Sequence, residues 1–152
     1  DDPATHTTFT GDTFGLVYPL LQRAKPFAFV STSPSDFDPA EARKSVQKVL
    51  DLGQPTVCPT HFGEVKKPRD IAVQLFSWID RSEAWLDEAA ASDAPSDVLT
   101  KDLVAKLRTA VAEEANAHGI FLGKADWRLL ELDIQLNADG IIAVADKRRR
   151  AG

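Results

Sequence analysis

The chain has 152 residues, the length of one ordinary domain, and its 43% hydrophobic and 27% charged residues are typical of a globular rather than a disordered protein. Its net charge of −5 argues against a nucleic-acid partner, because binding to a phosphate backbone needs a positive surface. No apolar run approaches the roughly 20 residues that a membrane-spanning helix needs, so we expect no membrane partner either.

The counts of cysteine, methionine and histidine narrow the possibilities further. The single cysteine, Cys58, excludes an intramolecular disulfide and favours a reducing compartment, so we expect a cytoplasmic protein. The chain contains no methionine and starts at Asp1, which leads us to expect a cut or incomplete product of a longer sequence. The three histidines, at positions 6, 61 and 118, are too few to build a site that needs a cluster of imidazoles.

The first part of the chain predicts short strands interrupted by one helix. β-Branched residues predict a strand over residues 5–10, and residues 27–32 and 56–58 are two further β-like runs. Between the last two runs, a helix is predicted over residues 39–52, starting with Pro39 in its first turn. This order of elements is that of a layered α/β unit.

From Pro68 onward, apolar residues recur at helical spacing. They predict one helix that runs to about residue 91, and a second that begins after residue 96 and stops near His118. A third helix is predicted to start at Asp126, which we interpret as its N-cap.

The chain therefore divides into two unlike regions. Residues 1–67 are expected to form an α/β half-domain, and residues 68–152 a helical C-terminal region. A lone sheet of three short strands that is covered on one side leaves strand edges and apolar surface exposed. We therefore expect the sheet to be completed by something outside this sequence, either a missing half or a second copy.

Two polar residues that follow predicted strands are candidates for a metal site. Asp12 lies between glycines in the segment GDTFG, where a strand end can project a carboxylate into a cleft, although a simple turn is the competing interpretation. His61 comes just after the strand predicted at residues 56–58, and a hydrogen-bonded loop histidine is its competing interpretation. Because the ends of neighbouring strands converge on one edge of an α/β unit, we expect the two side chains to meet over a common metal.

The segments around these residues resemble the metallo-β-lactamase superfamily. FTGDTFG (residues 9–15) and PTHFG (residues 59–63) are similar to two of its metal-binding motifs. STSPSDFDP (residues 31–39) and ELDIQLNADGI (residues 131–141) resemble the segment before the intervening helix and the last helix of one bacterial branch. The resemblance covers nearly the whole chain, and it implies the C-terminal half of an αββα sandwich with a helical C-terminal region.

The resemblance also implies roles for single residues. Asp12 would bridge two metal ions, zinc or iron, and His61 would be the last ligand, on the second metal. The metals would activate a bound water that attacks a thioester, a lactone or another ester-type small-molecule substrate.

Residues near these motifs are candidates for substrate contact. Phe14 and Tyr18 follow the Asp motif and Phe62 follows the histidine, so they would line a cleft, although core packing is an equally good interpretation of the aromatic rings. Thr32 and Ser33 lie at a predicted strand end and would bind a substrate oxyanion, with turn formation as the alternative.

The departures from the family limit what the chain does alone. The family's motif His-x-His-x-Asp-His is absent, and His6 does not match the histidine expected before the bridging aspartate. Since two ligands do not hold a dinuclear site, we expect the isolated chain to bind metal poorly and to lack hydrolase activity. Two alternatives stay open: a non-catalytic half-domain that acts as a binding or assembly module, and a small α/β binding module whose motifs are coincidental.

Overall fold

The structure, a computed structural model, describes residue 2 and residues 4–32, 36–60 and 63–151. It is mixed α/β and 64% helical, and its described residues form a small three-stranded sheet and four α-helices. The predicted α/β class is confirmed at this level, whereas the half of an αββα sandwich stays a prediction. None of the helices in the described ranges is long and apolar enough to cross a membrane.

The helices lie close to where amphipathic spacing predicts them, and the strands are short. The strands are β1 (Thr7–Gly11), β2 (Thr56–Pro59) and β3 (Val65–Lys66). The helices are α1 (Pro39–Asp51), α2 (Pro68–Ala90), α3 (Ser96–Ala117) and α4 (Lys124–Ala151).

Backbone proximity divides the chain into two compact units. Unit 1 comprises Asp1–Ser31 and Pro39–Ile79, and therefore holds the sheet, α1 and the first turns of α2. Unit 2 comprises Thr32–Asp38 and Asp80–Gly152, and therefore holds the rest of α2 together with α3 and α4.

The sheet of unit 1 has the order β1-β2-β3, with β1 parallel to β2 and β3 antiparallel to it. Gly11 pairs with Pro59 at the carboxyl ends of the two parallel strands. Val57 and Val65 pair across β2 and β3 and are buried, whereas Phe9 on β1 is 66% exposed. One face of the sheet therefore packs into the core of unit 1, and β1 presents an apolar side chain to solvent.

The strand predicted over residues 27–32 is wrong. Its residues 27–30 lie in unit 1 and are buried, but they form a single isolated bridge, at Phe29. Side chains of α2 take the place of a neighbouring strand: Gln74 Oε1 accepts the N–H of Ala28 at 2.9 Å, and the Trp78 indole N–H donates to the carbonyl of Ala28 at 3.0 Å. The β-like composition therefore reflects burial, while the backbone groups of Ala28 are paired by side chains.

The third strand of the sheet is β3, which no pattern predicted because its two residues are too few for a periodic signal.

The predicted start of the last helix at Asp126 is also wrong, because α4 begins at Lys124. Asp126 Oδ2 accepts the backbone N–H of Gly123 at 2.8 Å, so its carboxylate reaches back from inside the first turn. An acid in this position and an acid at the N-cap both precede the apolar face, so the sequence alone does not distinguish them.

Helices α3 and α4 supply much of the core of unit 2. Apolar residues at helical spacing along both helices are buried: Leu103, Leu107 and Val111 on α3, and Leu130, Ile134 and Ile141 on α4.

Candidate functional site

Asp12 lies directly after the last residue of β1. The strand ends at Gly11, whose φ of 58° is in the left-handed region, and Asp12 opens the single 3-10 turn Asp12–Phe14. The N–H of Gly15 closes this turn by donating to the carbonyl of Asp12 at 3.3 Å. Asp12 therefore stands at the end of a strand, as predicted, and it is exposed to solvent.

The far side of this turn is packed tightly into unit 1. Phe14 is fully buried. A Cβ atom at Gly15 would lie 2.5 Å from Leu75 Cδ2 and 2.7 Å from the carbonyl oxygen of Phe29, and the φ of Gly15 is +72°. Neither the space nor the backbone at Gly15 admits a larger residue, so the chain is held in place just beyond Asp12.

The carboxyl end of β2 lies beside that of β1. The two strands are parallel, and the N–H of Thr60, just after β2, donates to the carbonyl of Gly11 at 3.1 Å. The residue after Gly11 is Asp12, and Thr60 is exposed like Asp12. The structure therefore brings these two residues to the same edge of the sheet.

The predicted partner of Asp12, His61, lies outside the described residues, as do Phe62 and Ser33, and their predicted roles stay predictions. Across the described ranges, no three or more side chains of His, Cys, Asp or Glu are grouped to hold a metal ion. One carboxylate does not complete a zinc or iron site, so Asp12 would need further ligands to hold a metal.

Three further residues predicted to contact substrate are described, and each is buried. Phe14 and Tyr18 lie in the core of unit 1, with 0% and 8% of their surface exposed. Thr32 belongs to unit 2 and is 2% exposed, and its hydroxyl donates to the carbonyl of Asn137 at 2.9 Å. These contacts give all three residues a structural role, and their contact with a substrate stays a prediction.

The other two histidines have local roles of their own. His6 is exposed, with φ of 51°, and precedes β1, whose five residues span roughly 16 Å between it and Asp12. His118 ends α3, where its Nδ1 lies 2.8 Å from the carbonyl oxygen of Glu114. A turn position and a helix end account for them.

The basic run at residues 147–150 forms a network within unit 2. Three of its members form ion pairs: Lys147 with Asp36, Arg148 with Asp87, and Arg149 with Asp146. Arg149 also donates to the carbonyls of Ser92 and Ala94, both at 2.9 Å, and so ties α4 to the turn before α3. The hydrogen bond from Arg149 lowers the pKa of the Asp146 carboxyl below its usual value. These pairings favour a structural role for the run over a binding patch.

Two adjoining cavities of unit 1 contain basic residues that no motif had indicated. The larger, of about 630 Å³, is lined by Lys66, Lys67 and Arg69 among others. The smaller, of about 430 Å³, shares Lys66 and Lys67 and adds Lys25. The signal in the sequence is the run KKPR at residues 66–69, which stands out in a chain with a net charge of −5.

No protein-family model matches the chain, and no curated protein or solved structure is found to be similar to it. The relation to the metallo-β-lactamase superfamily is accordingly a resemblance, carried by the four segments given above.

Proposed function

We propose that this chain is the C-terminal half of a metal-dependent hydrolase with the metallo-β-lactamase fold. In the complete site, bound zinc or iron would supply an activated water for the hydrolysis of a thioester, a lactone or another ester-type small molecule. Asp12 would be the ligand shared by the two metals and His61 a ligand of the second, while the remaining ligands would come from a half that this sequence does not contain. We also propose a cytoplasmic location, because the chain has a single cysteine.

The observation that carries the proposal is the position of Asp12 at the shared carboxyl end of two parallel strands. The N–H of Thr60 donates to the carbonyl of Gly11 at 3.1 Å, so the chain segments that leave β1 and β2 start from one point. Sites in layered α/β folds are built from residues at this end of the strands. The motif that contains His61 continues directly from Thr60 in the sequence.

The restraint on the turn favours a positioned carboxylate over an ordinary surface turn. Asp12 is flanked by two glycines in left-handed conformations, Gly11 and Gly15. Between them, Phe14 is buried in the core, and Gly15 packs against the backbone of Phe29. An exposed turn with no further role gains nothing from such restraint, whereas a metal ligand must be held within a narrow range of positions.

The edge of the sheet supports a second candidate function, a non-catalytic half-domain that assembles with a partner. In the described residues β1 has β2 on one side, and on the other only its first residue, Thr7, is bridged, to Asp2. Phe9, which is 66% exposed, lies in the middle of this strand. Proteins usually cover a strand edge of this kind, here with the missing half or with a second copy.

The test of the hydrolase compares two forms of the protein: the purified 152-residue chain, and the same chain within the polypeptide isolated from its source. Bound metal is measured by elemental analysis, and hydrolysis is assayed on a thioester and a lactone. We expect the chain alone to hold no stoichiometric metal and to show no turnover. We expect the polypeptide from the source to hold stoichiometric metal and to hydrolyse a substrate.

Matched variants of that polypeptide identify the residues. We expect Asp12→Asn and His61→Asn to abolish metal binding and turnover, whereas Glu64→Gln, at another exposed carboxylate, leaves both unchanged. Full activity of Asp12→Asn, or stoichiometric metal with turnover in the chain alone, would show that the site is misassigned.

Light scattering separates the two candidate functions. Association of the chain that persists in a chelator, together with a source polypeptide that is inactive on both substrates, favours the assembly module. A clean monomer with cooperative unfolding would mean that the sheet needs no partner, and would count against both candidates.

A further inference from the structure

The two basic cavities of unit 1 lie away from the candidate metal site at Asp12. The larger cavity includes Thr56, the first residue of β2, and Lys66, the residue of β3 that pairs with Thr56. Asp12 lies beyond the other end of β2, at Pro59. Four residues of strand, roughly 13 Å, separate the two ends, so the cavities are a different place from the predicted hydrolase site.

The cations around these cavities have few acidic partners. Among the described residues, Lys25, Lys67 and Arg69 form no ion pair, and Lys66 approaches Glu64 only to 3.8 Å with both side chains largely exposed. By contrast, several lysines elsewhere lie 2.5–2.8 Å from a carboxylate oxygen: Lys44, Lys106 and Lys147. The cavities are therefore lined by basic side chains whose charge is not balanced by close ion pairs among the described residues.

The linings keep an excess of positive charge after their own acids are included. The larger cavity contains the carboxylate of Asp70 and the smaller that of Glu64, against four cations in the two together. Because the chain as a whole has a net charge of −5, its surface in general repels anions. Attraction of an anion is therefore a local property of this place.

We propose that the two cavities form one binding site for a phosphate-bearing small molecule. Arg69 presents a planar fork that can donate to two phosphate oxygens, and Lys66 and Lys67, which line both cavities, contribute point charges at their junction. Lys25 extends the site along the smaller cavity, so a ligand with two phosphate groups suits it better than one with a single group. The volumes of about 430 and 630 Å³ are those of small-molecule sites.

A small molecule fits this site better than a nucleic acid does. Nucleic-acid binding draws on many cations spread along an extended surface, and here they are gathered around two cavities in an acidic chain. The site is independent of the hydrolase proposal, since it uses neither Asp12 nor His61.

Isothermal titration calorimetry of the full chain with inorganic pyrophosphate and inorganic phosphate tests the site. EDTA is present throughout, so that the anion cannot bind through a metal at Asp12. We expect saturable binding of one pyrophosphate per chain, tighter than that of phosphate. The double variant Lys67→Gln/Arg69→Gln should weaken pyrophosphate binding by about tenfold or more, because it removes two charge-assisted contacts.

The matched control is Lys48→Gln/Lys124→Gln, which removes the same charge from two exposed positions outside both cavities. We expect the control to bind pyrophosphate as the wild type does. No saturable binding by the wild type, or equal weakening in the two double variants, would overturn the proposal.

Amide chemical shifts of the wild-type chain decide the question even if the cavity variant fails to fold. Pyrophosphate should shift signals from residues 65–71 and from Lys25. Changes centred on residues 10–13, or spread evenly over exposed lysines throughout the chain, would refute the site.

Discussion

Replacing Gly15 by alanine tests how the turn that carries Asp12 is held in place. A Cβ atom there would lie 2.5 Å from Leu75 Cδ2 and 2.7 Å from the carbonyl oxygen of Phe29. Neither neighbour can move freely, because Leu75 is 1% exposed and the Phe29 carbonyl accepts the N–H of Leu16 at 2.8 Å. The substitution therefore forces either the turn or the Leu16–Phe29 bridge out of position.

The expected loss of stability has two parts. An alanine at the φ of 72° and ψ of −165° of Gly15 costs about 1–3 kcal/mol relative to glycine, because residues with a Cβ hardly enter that backbone region. Overpacking against Leu75 and Phe29 adds about 1–3 kcal/mol, for a total of about 2–6 kcal/mol. Gly53 is the reference for a positive φ without overpacking, because its φ is +68° and a Cβ there would meet nothing within 4 Å.

Urea unfolding of the wild type, Gly15→Ala and Gly53→Ala measures both parts. We expect Gly53→Ala to lower the free energy of unfolding by about 1–2 kcal/mol, and Gly15→Ala to lower it by about 1–4 kcal/mol more. Equal losses in the two variants would refute the inference that close packing beneath the turn restrains Asp12.

Two further predictions concern buried and partly buried contacts. Gln74→Met leaves the buried N–H of Ala28 without its partner and should lower the free energy of unfolding by about 1–3 kcal/mol, whereas Gln135→Met on the surface of α4 should change it by less than about 0.5 kcal/mol. Because Arg149 lowers the pKa of Asp146 in the folded state, the stability that Asp146 contributes is present above its unfolded pKa and is lost as the pH falls through the folded one. Asp146→Asn should therefore destabilise the protein at neutral pH and reduce its loss of stability below about pH 4, and a pH profile parallel to that of the wild type would contradict this.

The helices were predictable from the sequence because their signals are local. Apolar residues at helical spacing gave α2 and α3 nearly the bounds that the structure has. The start of α4 was predicted two residues too late, because Asp126 caps the helix from within its first turn, where its carboxylate accepts the N–H of Gly123.

The strands were less predictable because their partners are distant in sequence. Residues 27–30 have the composition of a strand, but both backbone groups of Ala28 are paired by side chains more than 40 residues away, those of Gln74 and Trp78. No periodic pattern in the segment itself carries that information.

The candidate site was predictable in part. The segment GDTFG predicts an aspartate at a strand end, and the parallel pairing of β1 with β2 brings its neighbour Gly11 beside Thr60. The requirement for Gly15 depends on Leu75 and Phe29, which approach it only in the folded chain. The smaller cavity likewise forms from segments that are remote in sequence, residues 17–26 and 64–71, and the basic run alone does not reveal it.

The most direct test of the half-site is a titration of the isotopically labelled chain with paramagnetic Co²⁺, followed by amide NMR. Carboxylate and imidazole ligands accept this ion, so broadening locates the bound metal. If Asp12 and His61 form half of a metal site, binding is weak and broadening is centred on residues 11–13 and 60–63, and it is lost in Asp12→Asn. Broadening centred on His6 or His118 that leaves residues 11–13 sharp, or tight binding that survives Asp12→Asn, would contradict the proposal.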